Sequence, residues 1–368
     1  MKNKNILELC LSPDLGGLEL YMVRASHFLD EKSKVISVIN EVGKLEQYYK
    51  NTPYKYEKIK RHPSFLSFFS AKKLARIIDE NGIDIVHLHW TKDILVAVLA
   101  KILSNKKPKL VQTRNMTMTR FKNDFYHKWL YKNMEMILAV TYQVKEQLEK
   151  FIPSDIQPKI KMLYMGAETP TIIDENEKKK LRTQYGLNNN FTVGIVGRIE
   201  EGKGQYLVID AIKKLLHEGL NLQALIVGHA MDEKYLESLK SELKKENIEN
   251  KIIFTGFTRE SQKLMQILDC LVLATNRETF GLVLIEAMKS GVTVIGTNNG
   301  GPLEIIDDNE TGLLFEKQDS DDLMQKIKLL IENEEFKNQL AKNGHEKALK
   351  LFDSNLQFEK LYNILESL

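Results

Sequence analysis

Short apolar runs alternate with longer amphipathic stretches along this chain, and the alternation starts twice. In the first half the strand-like runs are Asn5–Leu11, Lys34–Asn40, Ile83–His89, Lys109–Thr113 and Met136–Thr141. Helical patterns separate them at Leu18–Asp30, Ser67–Asn81, Asp93–Ser104, Asn123–Met134 and Gln143–Phe151. The second half repeats the scheme with Thr192–Gly197, Leu222–Gly228, Ile252–Thr255, Cys270–Ala274, Val292–Gly296 and Gly312–Phe315. Near-continuously apolar strands separated by helices belong to parallel sheets buried on both faces. Each half opens with a strand, a glycine-bearing turn and a helix, at Gly16-Gly17 and again at 198–204.

The expected fold class is therefore α/β, with two Rossmann-like doubly wound parallel-sheet domains in series. The boundaries are read as 1–168 and 169–352, joined near 166–174. A final amphipathic helix, 353–368, is expected to pack back on the first domain. Ligands of such sheets bind outside the carboxyl ends of the strands, so the cleft between two facing domains is the natural site.

A chain of 368 residues can bury two cores. Its 43% hydrophobic and 28% charged residues exclude wholesale disorder. No apolar run reaches the roughly 18–20 residues that a membrane-spanning helix needs. The opening MKNKNILELCL is interrupted by Glu8 and reaches Pro13-Asp14 without a small-residue cleavage site, so it reads as a first strand and not a signal peptide. Cys10 and Cys270 each lie in a strand-like run, as buried thiols of a reducing compartment do. The expected location is cytoplasmic, with peripheral contact on the inner face of the membrane. The net charge of +3 conceals an asymmetry: residues 1–168 hold 28 Lys and Arg against 18 Asp and Glu, and residues 169–368 hold 25 against 32. A basic first half invites an anionic partner on that side, although a solvated basic face explains it equally well.

The candidate chemistry gathers in three loops. Gly16 and Gly17 follow the first strand; without a Cβ they permit positive φ and close backbone approach to a phosphate or sugar, although many such pairs are only turns. Arg198 and Lys203, in GRIEEGKGQ, are two cations on one strand-end loop and suit a diphosphate, Arg in bidentate fashion and Lys as a point charge. Salt bridges to Glu200 and Glu201 are the plainer alternative. Glu278 and Glu286 bracket ETFGLVLIE, where the Phe280-Gly281-Leu282 turn precedes a helix expected over Leu282–Ser290, and a helix start suits phosphate. On one helix these glutamates would lie roughly 12 Å apart. A glycosidase carboxyl pair is closer, at roughly 5–9.5 Å. Glu278 is thus expected in the loop and Glu286 within the helix, where a carboxylate among LVLIEAM needs a partner.

These residues resemble the donor-site signature of the retaining GT-B fold glycosyltransferases of family 4. The likeness runs through GGLE, IDIVHLHW, VGRIEEGKG, LIVGHA, FTGF and ETFGLVLIEAMKSGVTVIGTNNGGPLEIIDDNETGLLF, covering nearly the whole chain. It implies that Arg198 and Lys203 bind the donor diphosphate and that Glu278 holds hydroxyls of the transferred sugar. The backbone of Phe280, Gly281 and Leu282 would meet that sugar and the phosphates, and Glu286 would hold the ribose. Gly16 and Gly17 would let the first domain approach the diphosphate. The family needs no metal and no cofactor beyond the nucleoside diphosphate sugar donor, and no clustered Asp or His site is evident in the sequence to argue otherwise. The implied reaction moves a sugar, from a UDP- or GDP-sugar, to a hydroxyl of a growing saccharide, with retention by same-face attack.

Two departures stand out. Where relatives carry a histidine after the fourth first-domain strand, this chain has Arg114 and Asn115 in VQTRNMTM; Asn115 can donate to a sugar hydroxyl but cannot act as a base. Near the linker the family's Asn-Gly is Met165-Gly166. His87 and His89 are expected on opposite faces of their strand, with His89 reaching the cleft as an acceptor-side or catalytic candidate.

On the acceptor side, Phe65–Arg76 places Phe65, Leu66, Phe68 and Phe69 beside Lys72, Lys73 and Arg76, a composition suited to an anionic lipid surface. The aromatic and basic segment at 119–132 is equally explained by helix packing. Alternatives to transfer are a same-fold nucleotide-sugar epimerase or phosphorylase, or a non-catalytic carbohydrate-binding subunit. Nucleic-acid binding has no motif to support it.

Overall fold

Every strand among the described residues pairs in parallel, in two separate sheets. The computed structural model describes residues 3–368. The chain divides into two compact units, one running up to Gly166 and resuming at Asn355–Leu368, the other spanning Ala167–Ser354.

The first unit holds β1 (Ile6–Cys10), β2 (Val35–Asn40), β3 (Tyr56–Ile59), β4 (Ile85–Leu88), β5 (Lys109–Arg114), β6 (Met136–Ala139) and β7 (Lys159–Met162), in the order β3-β2-β1-β4-β5-β6-β7. β1, β2, β4 and β6 are buried at every position. Each such Leu, Ile or Val contributes about 1.5–3 kcal/mol of burial, and together they account for the continuous apolar runs. β3 and β7 had no such run. They are the two edges of the sheet, where one side meets water and Glu57, Lys159 and Lys161 are admitted.

The second unit holds β8 (Phe191–Val196), β9 (Leu222–Val227), β10 (Ile252–Gly256), β11 (Cys270–Leu273), β12 (Thr293–Thr297) and β13 (Leu313–Phe315), in the order β10-β9-β8-β11-β12-β13. The two sheets share one topological feature. Strand order reverses once in each, between β1 and β4 in the first and between β8 and β11 in the second. The crevice outside the carboxyl ends at that reversal is where doubly wound sheets bind ligands.

The last helix, Ser354–Glu366, belongs to the first unit over nearly all its length: Phe358 packs on Tyr21 and Phe28, and Glu359 pairs with Lys32. Within the second unit, residue Ala167 pairs with Asp353 as a parallel bridge. The fully buried Lys289 ties both together, its Nζ donating to Ala167 O at 2.7 Å, Thr169 Oγ1 at 3.2 Å and Asp353 Oδ2 at 3.1 Å. A lysine in LVLIEAMKS gives no sequence hint of this, since its partners lie more than 60 residues away on either side. Cys10 and Cys270 are free and buried, and burial pushes both thiols well above their ordinary range.

Candidate active site

The crevice of the second sheet is built from the loops after β8 and β11. The chain leaves β8 through Gly197, whose backbone meets that of Gly228 so closely that a Cβ on Gly228 would sit 1.8 Å from Gly197 O. Arg198 follows, exposed, with Nη2 3.2 Å from Glu200 Oε1. Gln205 Nε2 holds the loop by donating to Arg198 O at 2.9 Å. Gly204 closes it at φ +74°, and a Cβ there would lie 2.3 Å from Ala274 O, so only glycine fits. That contact presses the first loop on the second, and Asn276 N donates to Gly202 O at 3.1 Å.

This arrangement brings Lys203 and Glu278 together. Lys203 Nζ lies 3.6 Å from Glu278 Oε2, and both are largely covered. Salt bridges to Glu200 and Glu201 are the plainer alternative to diphosphate binding for this loop's cations. Arg198 follows it, but Lys203 reaches across to the other loop. Glu278 O accepts from Gly301 N at 3.0 Å, and a Cβ on Gly301 would collide with Phe280 O at 2.1 Å. Phe280 is buried, and Gly281, at φ +101°, turns the chain into helix Leu282–Lys289. No side chain caps that helix start, so its first N–H groups are presented to whatever enters the crevice. Glu278 stands in the loop and Glu286, half-buried, in the helix, as expected from their spacing. Beyond β9 and β10, His229 and the exposed Phe257 meet edge to face at 6.1 Å.

Three residues that the sequence did not single out complete this crevice. Gln205 Oε1, Thr275 Oγ1 and Asn276 Oδ1 are buried polar atoms with no hydrogen-bond partner. Such atoms are rare in folded proteins and mark a place where a ligand or water completes the bonding.

The crevice of the first sheet differs. Gly16 precedes helix Gly17–Asp30 in an extended conformation, φ −162°, and neither Gly16 nor Gly17 has positive φ. The expectation of left-handed backbone there is not met; what remains is exposed backbone without a side chain. His87 and His89 do not point to opposite faces. Residues two apart along a strand share a face, and both imidazoles turn to Glu8 on β1, with ring centroids 4.4 Å apart. His87 Nδ1 lies 3.0 Å from each Glu8 oxygen and its Nε2 2.7 Å from Thr113 Oγ1. His89 Nε2 bonds Glu8 Oε2. His89 is 2% exposed, so the role of reaching into an open cleft does not fit it.

Electrostatics explain why these groups can be buried. Burial pushes the Glu8 carboxyl up, but the charges and hydrogen bonds of His87 and His89 outweigh it and hold it at about 2. Burial, then His87, pulls His89 down, against Glu8. Glu8, His87 and His89 also present three ligand-type atoms within 4.8 Å of one another, which corrects the expectation that no such cluster exists. Each is already engaged in a hydrogen bond.

Asn115 lies half-buried just past β5. Its neighbour Arg114 is buried, with Nε on Met116 O at 2.7 Å and Nη1 on Thr91 Oγ1 at 2.8 Å. Arg114 thus braces the loop, and burial lowers its pKa.

Two sheets each reversing strand order once, with a cationic loop and an uncapped helix start at the second reversal, define a GT-B protein. HepE (Alr3699) from Anabaena in complex with UDP and glucose superposes with a TM-score of 0.85 at 21% identity, covering 100% of each chain. The glycosyl transferase 4-like family model matches residues 8–141, and the glycosyl transferases group 1 model matches residues 177–347. The chain belongs to the group 1 glycosyltransferases. It is 25% identical to the capsular polysaccharide biosynthesis glycosyltransferase CapM of Staphylococcus aureus over 344 residues, which cover 91% of this chain and 90% of that one. It is 27% identical to the N-acetylgalactosamine-N,N'-diacetylbacillosaminyl-diphospho-undecaprenol 4-alpha-N-acetylgalactosaminyltransferase of Campylobacter jejuni over 297 residues, 77% of each chain.

Proposed function

We propose that this glycosyltransferase moves a sugar, with retention, from a nucleoside diphosphate sugar to a hydroxyl of a growing, lipid-linked saccharide. The observation that carries the donor half is the meeting of Lys203 and Glu278 at 3.6 Å beside an uncapped helix start. A cation, a carboxylate and free N–H groups in one crevice suit a diphosphate joined to a polyhydroxylated ring.

Lys203, Arg198 and the start of helix Leu282–Lys289 stabilise charge on the departing diphosphate, the work a divalent ion does elsewhere, so no metal is needed. Glu278 grips sugar hydroxyls, Phe280, Gly281 and Leu282 offer backbone to sugar and phosphate, and Glu286 takes the ribose. The base lies toward His229 and Phe257. The acceptor oxygen bonds to the anomeric carbon as the bond to the diphosphate breaks on the same face. The acceptor's proton passes to a diphosphate oxygen. A uracil base is favoured by the UDP bound to HepE, and a lipid-linked acceptor by the diphospho-undecaprenol in the relative's name.

Peripheral membrane contact is assigned to the segment 65–76. Phe65, Phe68 and Phe69 are 83%, 50% and 59% exposed; Phe68 and Phe69 share the helix Ser67–Asn81 with Lys72, Lys73 and Arg76, and Phe65 lies in the turn before it. No helix among the described residues is long and apolar enough to cross a membrane, so this patch is the proposed route to a lipid-linked acceptor. Two measurements test the reading. A panel of UDP-, GDP- and ADP-sugars, followed by thermal shift and hydrolysis, should single out one nucleotide; no response to any removes the donor assignment. Flotation with anionic liposomes at low salt should carry the protein up, and Phe68→Ser with Lys72→Glu should abolish it; unchanged flotation removes the membrane assignment.

A further inference from the structure

At the strand-order reversal of the first sheet a second polar cluster lies beside the Glu8 network. Leu11, just past β1, donates its N–H to Asp93 Oδ2 at 2.8 Å. Asp93, past β4, is fully buried, and its Oδ1 has no hydrogen-bond partner. Arg61, just past β3, comes nearest, with Nε 3.9 Å from that oxygen, too far to bond it. Arg61 Nε is likewise buried and unpartnered. Its guanidinium lies 4.6 Å from the centre of the Trp90 ring, and Lys92 Nζ lies 5.1 Å from the same ring. Two cations thus share one indole, and Asp93 is the one acid paired with either among the described residues. Burial pushes the Asp93 carboxyl up to about 7, against the pull of Leu11 N–H and Arg61. Near neutral pH it therefore leaves much of the Arg61 charge uncancelled.

The surroundings point to the same use. The residues on either side of Arg61 are tied to the aromatic helix by Ser70, whose hydroxyl donates to Lys60 O at 2.9 Å and sits 3.0 Å from His62 Nδ1. The His62 ring lies 5.9 Å from Phe69, and Phe69 lies 6.3 Å from Phe68. The backbone that carries Arg61 is thus braced beside a surface of exposed phenylalanines, and Lys92 shares its indole.

We propose that Arg61 and Lys92, seated on Trp90 and backed by Asp93, bind a phosphate group carried on an apolar chain, the chain lying along Phe65, Phe68 and Phe69. The ligand class is an amphiphilic phosphate ester or diphosphate, and the phosphate bound is the acceptor's own and not that of bulk lipid. The proposal rests on the reading of the first unit as the acceptor side. Asp93 is a positioning residue, acting through Arg61 and the Leu11 turn. Arg61 contributes the fork that holds two oxygens at once and Lys92 a point charge.

Trp90 supplies the probe, because Trp129 is the only other tryptophan. A Trp129→Phe variant, saturated with UDP to occupy the donor crevice, is titrated with farnesyl phosphate, and the change in Trp90 fluorescence is followed. Farnesol serves as the uncharged control. Adding Arg61→Met and Lys92→Met should weaken farnesyl phosphate by about tenfold or more, with farnesol and UDP affinities unchanged. Equal affinity for farnesyl phosphate in both proteins overturns the subsite. Loss of binding to phosphatidylglycerol vesicles with farnesyl phosphate binding intact also overturns it, assigning the cations to the bilayer. If Trp129→Phe does not fold, calorimetry compares Arg61→Met/Lys92→Met with the unaltered tryptophan background and carries the same outcomes. Absence of UDP binding strikes the donor assignment alone, since the titration is then run without nucleotide and still decides the subsite.

Discussion

The two crevices at the points of strand reversal are alike in topology and opposite in their treatment of polar groups. After β8 and β11, Arg198, Lys203 and Glu278 are partly open to solvent, and Gln205, Thr275 and Asn276 keep unbonded buried oxygens. At the first reversal, Glu8 on β1, His87 on β4, Thr113 on β5 and His89 just past β4 form a closed set joined by hydrogen bonds within the protein. A buried polar network that is complete makes a region rigid, while one left incomplete is ready for a partner from outside. The same supersecondary unit therefore gives a frame in one unit and a receptor in the other. In the first unit, the receptor-like features have moved aside to Asp93, Arg61 and Trp90.

The sharpest separation of the two crevices is expected from Lys203→Ala. Turnover should fall on the order of 10²–10³-fold, as for loss of one group stabilising developing charge, while the melting temperature stays close to that of the parent. Turnover near the parent value would break the comparison at its receptor side.

Glu8→Ala should behave in the opposite way. Removing the carboxylate between two buried imidazoles should cost about 3–5 kcal/mol in denaturant unfolding, with nucleotide affinity per folded molecule unchanged. Its pH signature has a definite sign. A carboxyl at about 2 in the folded state and 4.5 in the unfolded chain stabilises the protein above pH 4.5, and that stability is lost as pH falls from 4.5 toward 2. The variant should lack this acid limb; an identical limb in both proteins would show that Glu8 does not carry the charge.

Asp93→Asn probes the residue between frame and receptor. Asp93 is raised from 3.8 to about 7, so the unfolded chain gives up its proton first, and the protein loses stability as pH rises from about 4 to 7. The amide removes that loss. It should gain on the order of 4 kcal/mol over the parent at pH 8 and little at pH 4. A constant difference across that range would mean that Asp93 does not titrate there.

The smallest effect is expected of Arg198→Ala. Its exposed pair with Glu200 is worth about 0–1 kcal/mol, so unfolding should barely move. Donor affinity, read by calorimetry with UDP, should still drop several-fold. A stability loss larger than the affinity loss would make Arg198 part of the frame.

How much could be read from the chain depends on how local each feature is. The apolar runs of β1, β2, β4, β6, β9, β11 and β12 were legible because a strand covered on both faces is filled almost wholly by apolar side chains, Glu8 of β1 being a paired exception. β3 and β7 were not, because an edge admits Glu57, Lys159 and Lys161. The spacing of Glu278 and Glu286 about Gly281 placed one in a loop and one in a helix, as found. His87 and His89 were misread at the level of strand geometry itself, since the alternation of faces puts i and i+2 together.

Sequence by itself determined the two doubly wound sheets, the glycine-bearing loops after β1 and β8, and the identity of the ionisable groups near the second reversal. Those follow from periodicity and local backbone freedom, which act over a few residues. Tertiary structure alone decided that Lys203 meets Glu278 and not Glu201, that Glu8 claims both histidines, and that Lys289 seals Ala167 to Asp353. These pairings join residues tens to more than a hundred positions apart. A charge taken out of water accepts whichever partner the packing brings within reach, and packing is a property of the whole sheet.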